Sequence, residues 1–352
     1  MLRKNTLLLV HMLALVLAAC GGTGESAISA STSTPASTPT PISAADFNTR
    51  CTAPGVVKCV GFDAASDIAG GYGSNSGIFS GANTTPTLDA SAKASGASSL
   101  KFTIPSNSGS DSSGTYFTNF SPDLSLQFGE NQEFYVQWRQ RFSPEFLNTV
   151  YQGGGGWKQI IIGTGDKPGG TWYASCTSLE TVVQNIYHDG FPQMYNSCTG
   201  STSHGPYATF QEPFSTSWNP YNFKLQNARP SPYCLYDNNG QSKLPPSGNC
   251  LGYFPNEWMT FQVKIKTGPR VGDEWRNSVV SLWIARENQQ SELVINFPWN
   301  LTAGSAGEDQ KFGKVWLLPY NTGKSSAQSH QPAFTWYDEL IISRTQIADP
   351  AP

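Results

Sequence analysis

The sequence predicts an all-β fold, a sandwich of two antiparallel sheets, and three observations carry that prediction. Apolar and polar residues alternate with period two in several separate windows. No window longer than a few turns shows a period of 3.6. The chain also combines only 13% charged residues with 34 Gly, 10 Trp, 14 Tyr and 19 Phe. Period two sends neighbouring side chains to opposite faces of a strand. Low charge with many aromatics and glycines suits a β domain with long loops.

From the N-terminus, the chain opens with Leu2, Arg3 and Lys4, then an apolar stretch from Thr6 to Ala19, closing on Leu17-Ala18-Ala19-Cys20. That is a charged n-region, an h-region too short to span a bilayer, and small residues at a cut site, so residues 1–20 read as a signal peptide. The last four residues resemble the lipobox of bacterial lipoproteins. The resemblance implies lipidation of Cys20, export, and anchoring to the cell envelope, at the outer membrane or cell surface. The rival is an ordinary secretory signal with a chance cysteine. Residues 21–46, rich in Ser, Thr, Ala and Pro, cannot bury a core and read as a disordered tether. The folded domain is expected over 47–352, since no second linker and no internal repeat follows.

Within it, strands are expected at Leu100–Ile104, Phe134–Trp138, Met259–Ile265, Val280–Ile284, Val294-Ile295, Val315–Leu318 and Leu340–Ile342. The section from about 164 to 256 breaks the alternation. It is rich in Gly, Pro, Asn and Tyr and holds four cysteines, so it reads as long disulfide-stapled loops over one face of the sandwich. An even number of cysteines beyond Cys20 in an exported chain suggests disulfides. Their sequence-local grouping favours Cys51–Cys59, Cys176–Cys198 and Cys234–Cys250. No Cys-x-x-Cys occurs and the four histidines are scattered, which argues against zinc. No cofactor is expected; Asp237-Asn238-Asn239-Gly240 leaves a structural calcium open, but without a later glutamate at the right spacing it reads as a turn. A net charge of −3 with no basic run excludes a nucleic-acid partner. No second apolar stretch could span a bilayer, so lipid would be the sole membrane contact of an expected monomer.

The runs Asn256-Glu257-Trp258 leading into Met259–Ile265, Phe312-Gly313-Lys314-Val315-Trp316-Leu317-Leu318-Pro319-Tyr320, and Phe334-Thr335-Trp336-Tyr337-Asp338-Glu339-Leu340 resemble the concanavalin A-like lectin/glucanase jelly roll, especially its polysaccharide lyase branch. The resemblance spans about Val57 to Ile347 and implies fold more than activity. The Glu-x-Asp-x-x-Glu strand of the retaining glucanases is absent. Asp338 and Glu339 are adjacent, so simple alternation points them to opposite faces.

The lyase resemblance implies a group that neutralises a uronate carboxylate, a base, and an acid for the leaving oxygen. Tyr135, Gln137, Arg139 and Arg141 share one strand face, expected to line an open concave surface, with Arg139 catalytic and the others binding substrate. Gln184-Asn185-Ile186-Tyr187-His188 places Gln184 and His188 on one face. It departs from the branch's Gln-x-His spacing, and nominates His188 and Tyr187 as catalytic and Gln184 as substrate-binding. Trp157–Ile162 offers catalytic Lys158 and binding Gln159, of which alternation lets one face the cleft. Trp172, Tyr221 and Lys224 complete the binding set, the aromatics as stacking surfaces for sugar rings. The leading expectation is β-elimination on an acidic polysaccharide; the alternative is a non-catalytic glycan-binding lipoprotein on the same fold.

Overall fold

The computed structural model describes residues 44–71, 73–81, 85–152, 156–165, 179–185, 191–196, 224–226, 251–272, 274–302 and 310–352. Among these, nine strands form one sheet: β1 (Val56–Val60), β3 (Thr87–Asp89), β4 (Ser99–Ile104), β6 (Glu133–Phe142), β11 (Met259–Lys266), β12 (Arg270–Val271), β13 (Glu274–Ala285), β14 (Glu292–Thr302) and β16 (Ala333–Ser343). Seven form the other: β2 (Ser76–Phe79), β5 (Thr115–Asn119), β7 (Trp157–Thr164), β8 (Glu180–Asn185), β9 (Gln193–Asn196), β10 (Lys224–Gln226) and β15 (Phe312–Leu317). The first sheet runs β12-β13-β11-β6-β16-β4-β3, with β1 beside β16 and β14 beside β13; the second runs β10-β9-β8-β7-β15-β5-β2. Strand pairs are antiparallel throughout, as in β11 with β6 and β7 with β8. Two five-residue helices, α1 (Phe47–Cys51) and α2 (Pro144–Asn148), are each capped at the N-terminus by a side chain, Asp46 and Ser143. No described helix is long and apolar enough to cross a membrane.

The alternating runs become strands because one set of residues fills the space between the sheets. Leu100, Phe102 and Ile104 on β4, Phe134, Val136 and Trp138 on β6, Phe261, Val263 and Ile265 on β11, and Leu340 and Ile342 on β16 meet Ile160, Ile162, Val183, Met194, Val315 and Leu317 of the second sheet in one buried cluster. Each such side chain contributes about 1.5–3 kcal/mol by leaving water.

Two local irregularities redirect side chains against the alternation. In β7 the register shifts between Lys158 and Ile160. Trp157, Ile160 and Ile162 then face the core while Ile161 joins a second cluster on the outer side with Val182 and Trp316. In β16 the register shifts between Asp338 and Ile341, with Glu339 at φ +50°. This is a β-bulge. It turns Asp338 and Glu339 toward the same side of the sheet, where simple alternation separates them.

The section from 164 to 256 is not loop alone: β8, β9 and β10 extend the seven-stranded sheet across it. Val182 and Val183 sit side by side in sequence because both faces of β8 are buried, one in each cluster, and that removes the alternation that would have revealed the strand. Ala45 and Asp46, read from composition as the end of the tether, belong to the fold. Ala45 pairs with Pro350, donates to the carbonyl of Asp349 at 2.8 Å, and accepts from Ala351 at 2.9 Å.

Cys51 and Cys59 form the expected disulfide, joining α1 to β1. The other four cysteines and Cys20 lie outside the described residues. Reducing the Cys51–Cys59 bond, or Cys51→Ser with Cys59→Ser, is expected to cost about 2–3 kcal/mol by freeing a short loop in the unfolded chain. Urea unfolding with and without reductant reads this directly; an unchanged midpoint would contradict it.

Candidate functional site

Each sheet has an outer face, and each carries a buried apolar cluster with polar residues beside it. The outer face of the nine-stranded sheet, expected to be open, is instead covered by α1 and the C-terminal segment. Tyr135, Trp283, Ile341 and Ile347 form a buried cluster there with Phe47, Val56 and the Cys51–Cys59 pair. Gln137 is fully buried. Its amide donates to the carbonyl of Ala348 at 3.0 Å and its oxygen accepts from Arg50 Nη1 at 2.6 Å. Gln262 on the neighbouring strand clasps the backbone of Ile347 in both directions, at 2.8 and 3.1 Å. Tyr135 is buried and donates to Glu133 at 2.8 Å.

Arg139, expected to be catalytic, is buried within an ion cluster. Its Nη1 lies 3.9 Å from Glu339, whose other oxygen pairs with Arg50, and its Nη2 reaches the Trp258 carbonyl at 3.4 Å. Burial lowers its pKa, which the Glu339 carboxylate counters. Tyr135, Gln137 and Arg139 therefore hold the chain termini onto the sheet, and the open concave face expected for them is closed. Arg141, farther along the strand, remains partly exposed.

The outer face of the seven-stranded sheet is different. Cross-strand register aligns Lys158 with Gln184 and Gln184 with Gln193, and in the next row Ile161 with Val182 and Val182 with Tyr195. Lys158, Gln184, Tyr195 and Tyr320 are all partly exposed. The Lys158 ammonium lies between two rings, 5.7 Å from the Tyr195 centroid and 5.3 Å from that of Tyr320. Tyr320 is held there because its carbonyl accepts from the Lys158 amide at 2.9 Å. Burial pushes the Lys158 ammonium below the usual lysine range, against the opposing pull of Glu180. Gln193 is fully buried, and neither atom of its side-chain amide has a hydrogen-bond partner. A buried orphan amide is costly and rare. The register partner of Gln193 on β8 is Gln184.

Lys314 is fully buried on the same side. Lys314 lies 4.9 Å from the Phe117 centroid and 4.7 Å from that of Trp316. Lys224 occupies the register position opposite Tyr195 on β10. The fold thus brings together Lys158, Gln184 and the backbone position of Lys224 from the residues expected to act on substrate. It adds Gln193, Tyr195 and Tyr320. Tyr195 was visible only as one of many aromatics in a loop-rich section, and Gln193 carried no local signal.

Gln159 does not join this site. Alternation from outward-facing Lys158 turns it inward, where it is fully buried, accepting from Tyr253 at 2.8 Å, donating to Gln140 at 3.0 Å, and accepting from Tyr337 through its backbone carbonyl at 2.8 Å. Gln140 in turn accepts from Trp138 at 3.2 Å. Gln159→Leu removes both side-chain hydrogen bonds from this buried network and is expected to lower stability by about 1–3 kcal/mol. Thermal unfolding tests this; a variant as stable as the parent would return Gln159 to the candidate binders.

Tyr187, His188, Trp172 and Tyr221 lie outside the described residues, as does the run Asp237-Asn238-Asn239-Gly240. Among the described residues no group of three His, Cys, Asp or Glu is placed to hold a metal.

These features define the class: an all-β sandwich of two antiparallel sheets with a cationic, aromatic-lined outer sheet face. No protein-family model and no curated relative matches the chain. Among solved structures, it is similar to the marine PL-14 alginate lyase of Aplysia kurodai (11% identity, TM-score 0.48, covering 82% of this chain and 98% of that one). It is also similar to the alginate lyase Aly36B (15%, 0.40, 83% and 97%) and to the cellulose-induced protein Cip1 (13%, 0.39, 75% and 87%).

Proposed function

We propose that this protein is an exported, lipid-anchored polysaccharide lyase that cleaves a uronic-acid polymer by β-elimination on the outer face of the seven-stranded sheet. One observation carries the reading: a lysine with a depressed pKa sits between two tyrosine rings, in register with two glutamine side chains, one of them buried and unpartnered.

The chemistry follows from those groups. The Gln184 and Gln193 amides donate to the uronate carboxylate and stabilise the charge that builds on it. Lys158, whose charged form burial disfavours, takes the proton from the carbon bearing that carboxylate in its neutral form. The electrons of the broken C–H bond become a carbon–carbon double bond, and the bond from the adjacent carbon to the glycosidic oxygen breaks. That oxygen leaves with the electron pair and receives a proton from the Tyr195 hydroxyl. Lys158 and Tyr195 then exchange their proton with solvent. The Cys51–Cys59 disulfide supports an oxidising compartment, and the lipobox supports the anchor.

The test is incubation of the full chain with alginate, glucuronan, pectate and glycosaminoglycans, following the ultraviolet absorbance of unsaturated uronates. Growth of that absorbance with one polymer is expected. Retention on a polymer with no absorbance from any of them would replace the lyase with a glycan-binding protein.

A further inference from the structure

On the outer face of the nine-stranded sheet, away from the covered patch, three side chains form a row across adjacent strands. Lys101 of β4 is opposite Trp336 of β16, and Trp336 is opposite Arg141 of β6. On the edge strand Thr87 continues the row beyond Lys101. All four are at least partly exposed; the Lys101 side chain keeps 27% of its surface. The Lys101 ammonium lies 5.6 Å from the Trp336 centroid and 4.4 Å from that of Phe334, and the Arg141 guanidinium 5.9 Å from Trp336. Asp89 fixes the arrangement, accepting from the indole nitrogen at 3.0 Å and pairing with Lys101 at 3.2 Å. Arg141 has no carboxylate partner among the described residues, and its Nε is buried without a hydrogen-bond partner.

We infer that this row is a second binding surface, specific for a linear acidic polysaccharide and separate from the cleft on the seven-stranded sheet. Neighbouring strands lie about 4.8 Å apart, close to the length of one sugar residue. A polymer running across the strands therefore meets a cation, an aromatic surface and a second cation in successive steps. The indole offers an apolar edge for a sugar's C–H face. Arg141 offers a planar fork of donors matched to a carboxylate. Charge complementarity selects the occupant: an arginine without an acidic partner beside a half-paired lysine favours a polyanion. Such a surface would hold substrate against the protein without entering the reaction. It rests on its own geometry and does not require the lyase reading.

The test is affinity electrophoresis of the full chain through gels containing alginate, pectate or glucuronan, with neutral laminarin as control. A Lys158→Ala background prevents cleavage during the run. Retention by at least one acidic polymer is expected, weakened about 10-fold by Trp336→Ala and several-fold by Arg141→Gln, with no effect in laminarin. Arg141→Gln keeps the stem and guards against loss of fold in the tryptophan variant; melting temperature checks both. Unchanged retention in both variants overturns the proposal, as does equal retention in laminarin. Loss of binding only to vesicles containing anionic lipid, with none to polysaccharide, would assign the row to a membrane surface and overturn it too.

Discussion

Glu339→Gln is expected to cost about 3–5 kcal/mol of folding stability, the typical penalty for removing one partner of a buried ion pair. Glu339 is 2% exposed and is shared by Arg50 from α1 and Arg139 from β6. Without its charge, two buried guanidinium groups face each other with only neutral oxygens between them: the Gln137 side chain and the Ala45 carbonyl for Arg50, and the Trp258 carbonyl for Arg139. The loss should be localised, because Arg50 is the point where α1 grips the sheet. Backbone amides of residues 45–52 should then lose hydrogen-exchange protection before those of β6. The charges themselves are not required for packing. Replacing all three together, Arg50→Met with Arg139→Met and Glu339→Leu, should recover most of the stability, since apolar groups of similar size often match a buried ion cluster. Urea unfolding of the single and triple variants measures both effects. A single variant within 1 kcal/mol of the parent would show that the cluster does not hold the termini.

Lys158→Met is expected to lower uronate cleavage by about 10²–10⁴-fold, the usual contribution of a positioned general base, without lowering the melting temperature. The sign of the second effect comes from the depressed pKa. The folded state binds the Lys158 proton more weakly than the unfolded chain does, so the charged side chain opposes folding at neutral pH. That opposition fades as pH rises through the folded value toward the ordinary one of about 10.4. Methionine removes it. The same depression predicts that cleavage rises with pH as Lys158 loses its proton, levelling below the ordinary lysine value. Lys158→Arg separates the base from a merely electrostatic role. Guanidinium keeps the charge and its place between the Tyr195 and Tyr320 rings but does not release a proton, so it should not rescue activity. Rescue by arginine would reassign Lys158 to charge stabilisation and leave the base to another residue.

Alternation along the chain sufficed to identify β4, β6, β11, β13, β15 and β16 and the residues that fill the core, because period two is a property of each strand taken alone. The same reasoning correctly placed Tyr135, Gln137 and Arg139 together on the face opposite the core. It could not show that α1 and residues 347–348 would lie over that face, because the covering segments come from the two ends of the chain. The face expected to be open is thus covered at Tyr135, Gln137 and Arg139. Two further features were beyond a local reading. The bulges at Gln159 and Glu339 each insert one residue, and one residue is enough to exchange inward for outward along the rest of a strand. One keeps Ile160 in the core directly after inward-facing Gln159 and sends Ile161 outward; the other brings Glu339 and Asp338 to one side, where Glu339 neutralises two arginines.

The sequence by itself determined the class of fold, the core and the chemistry available: amides, lysines and aromatics with few charges. Only the tertiary structure decided which of those groups meet. The Lys158, Gln184, Gln193 and Tyr195 grouping depends on the pairing of β7, β8 and β9. Pairing is settled by burial on both faces of the sheet at once, not by the pattern within any single strand.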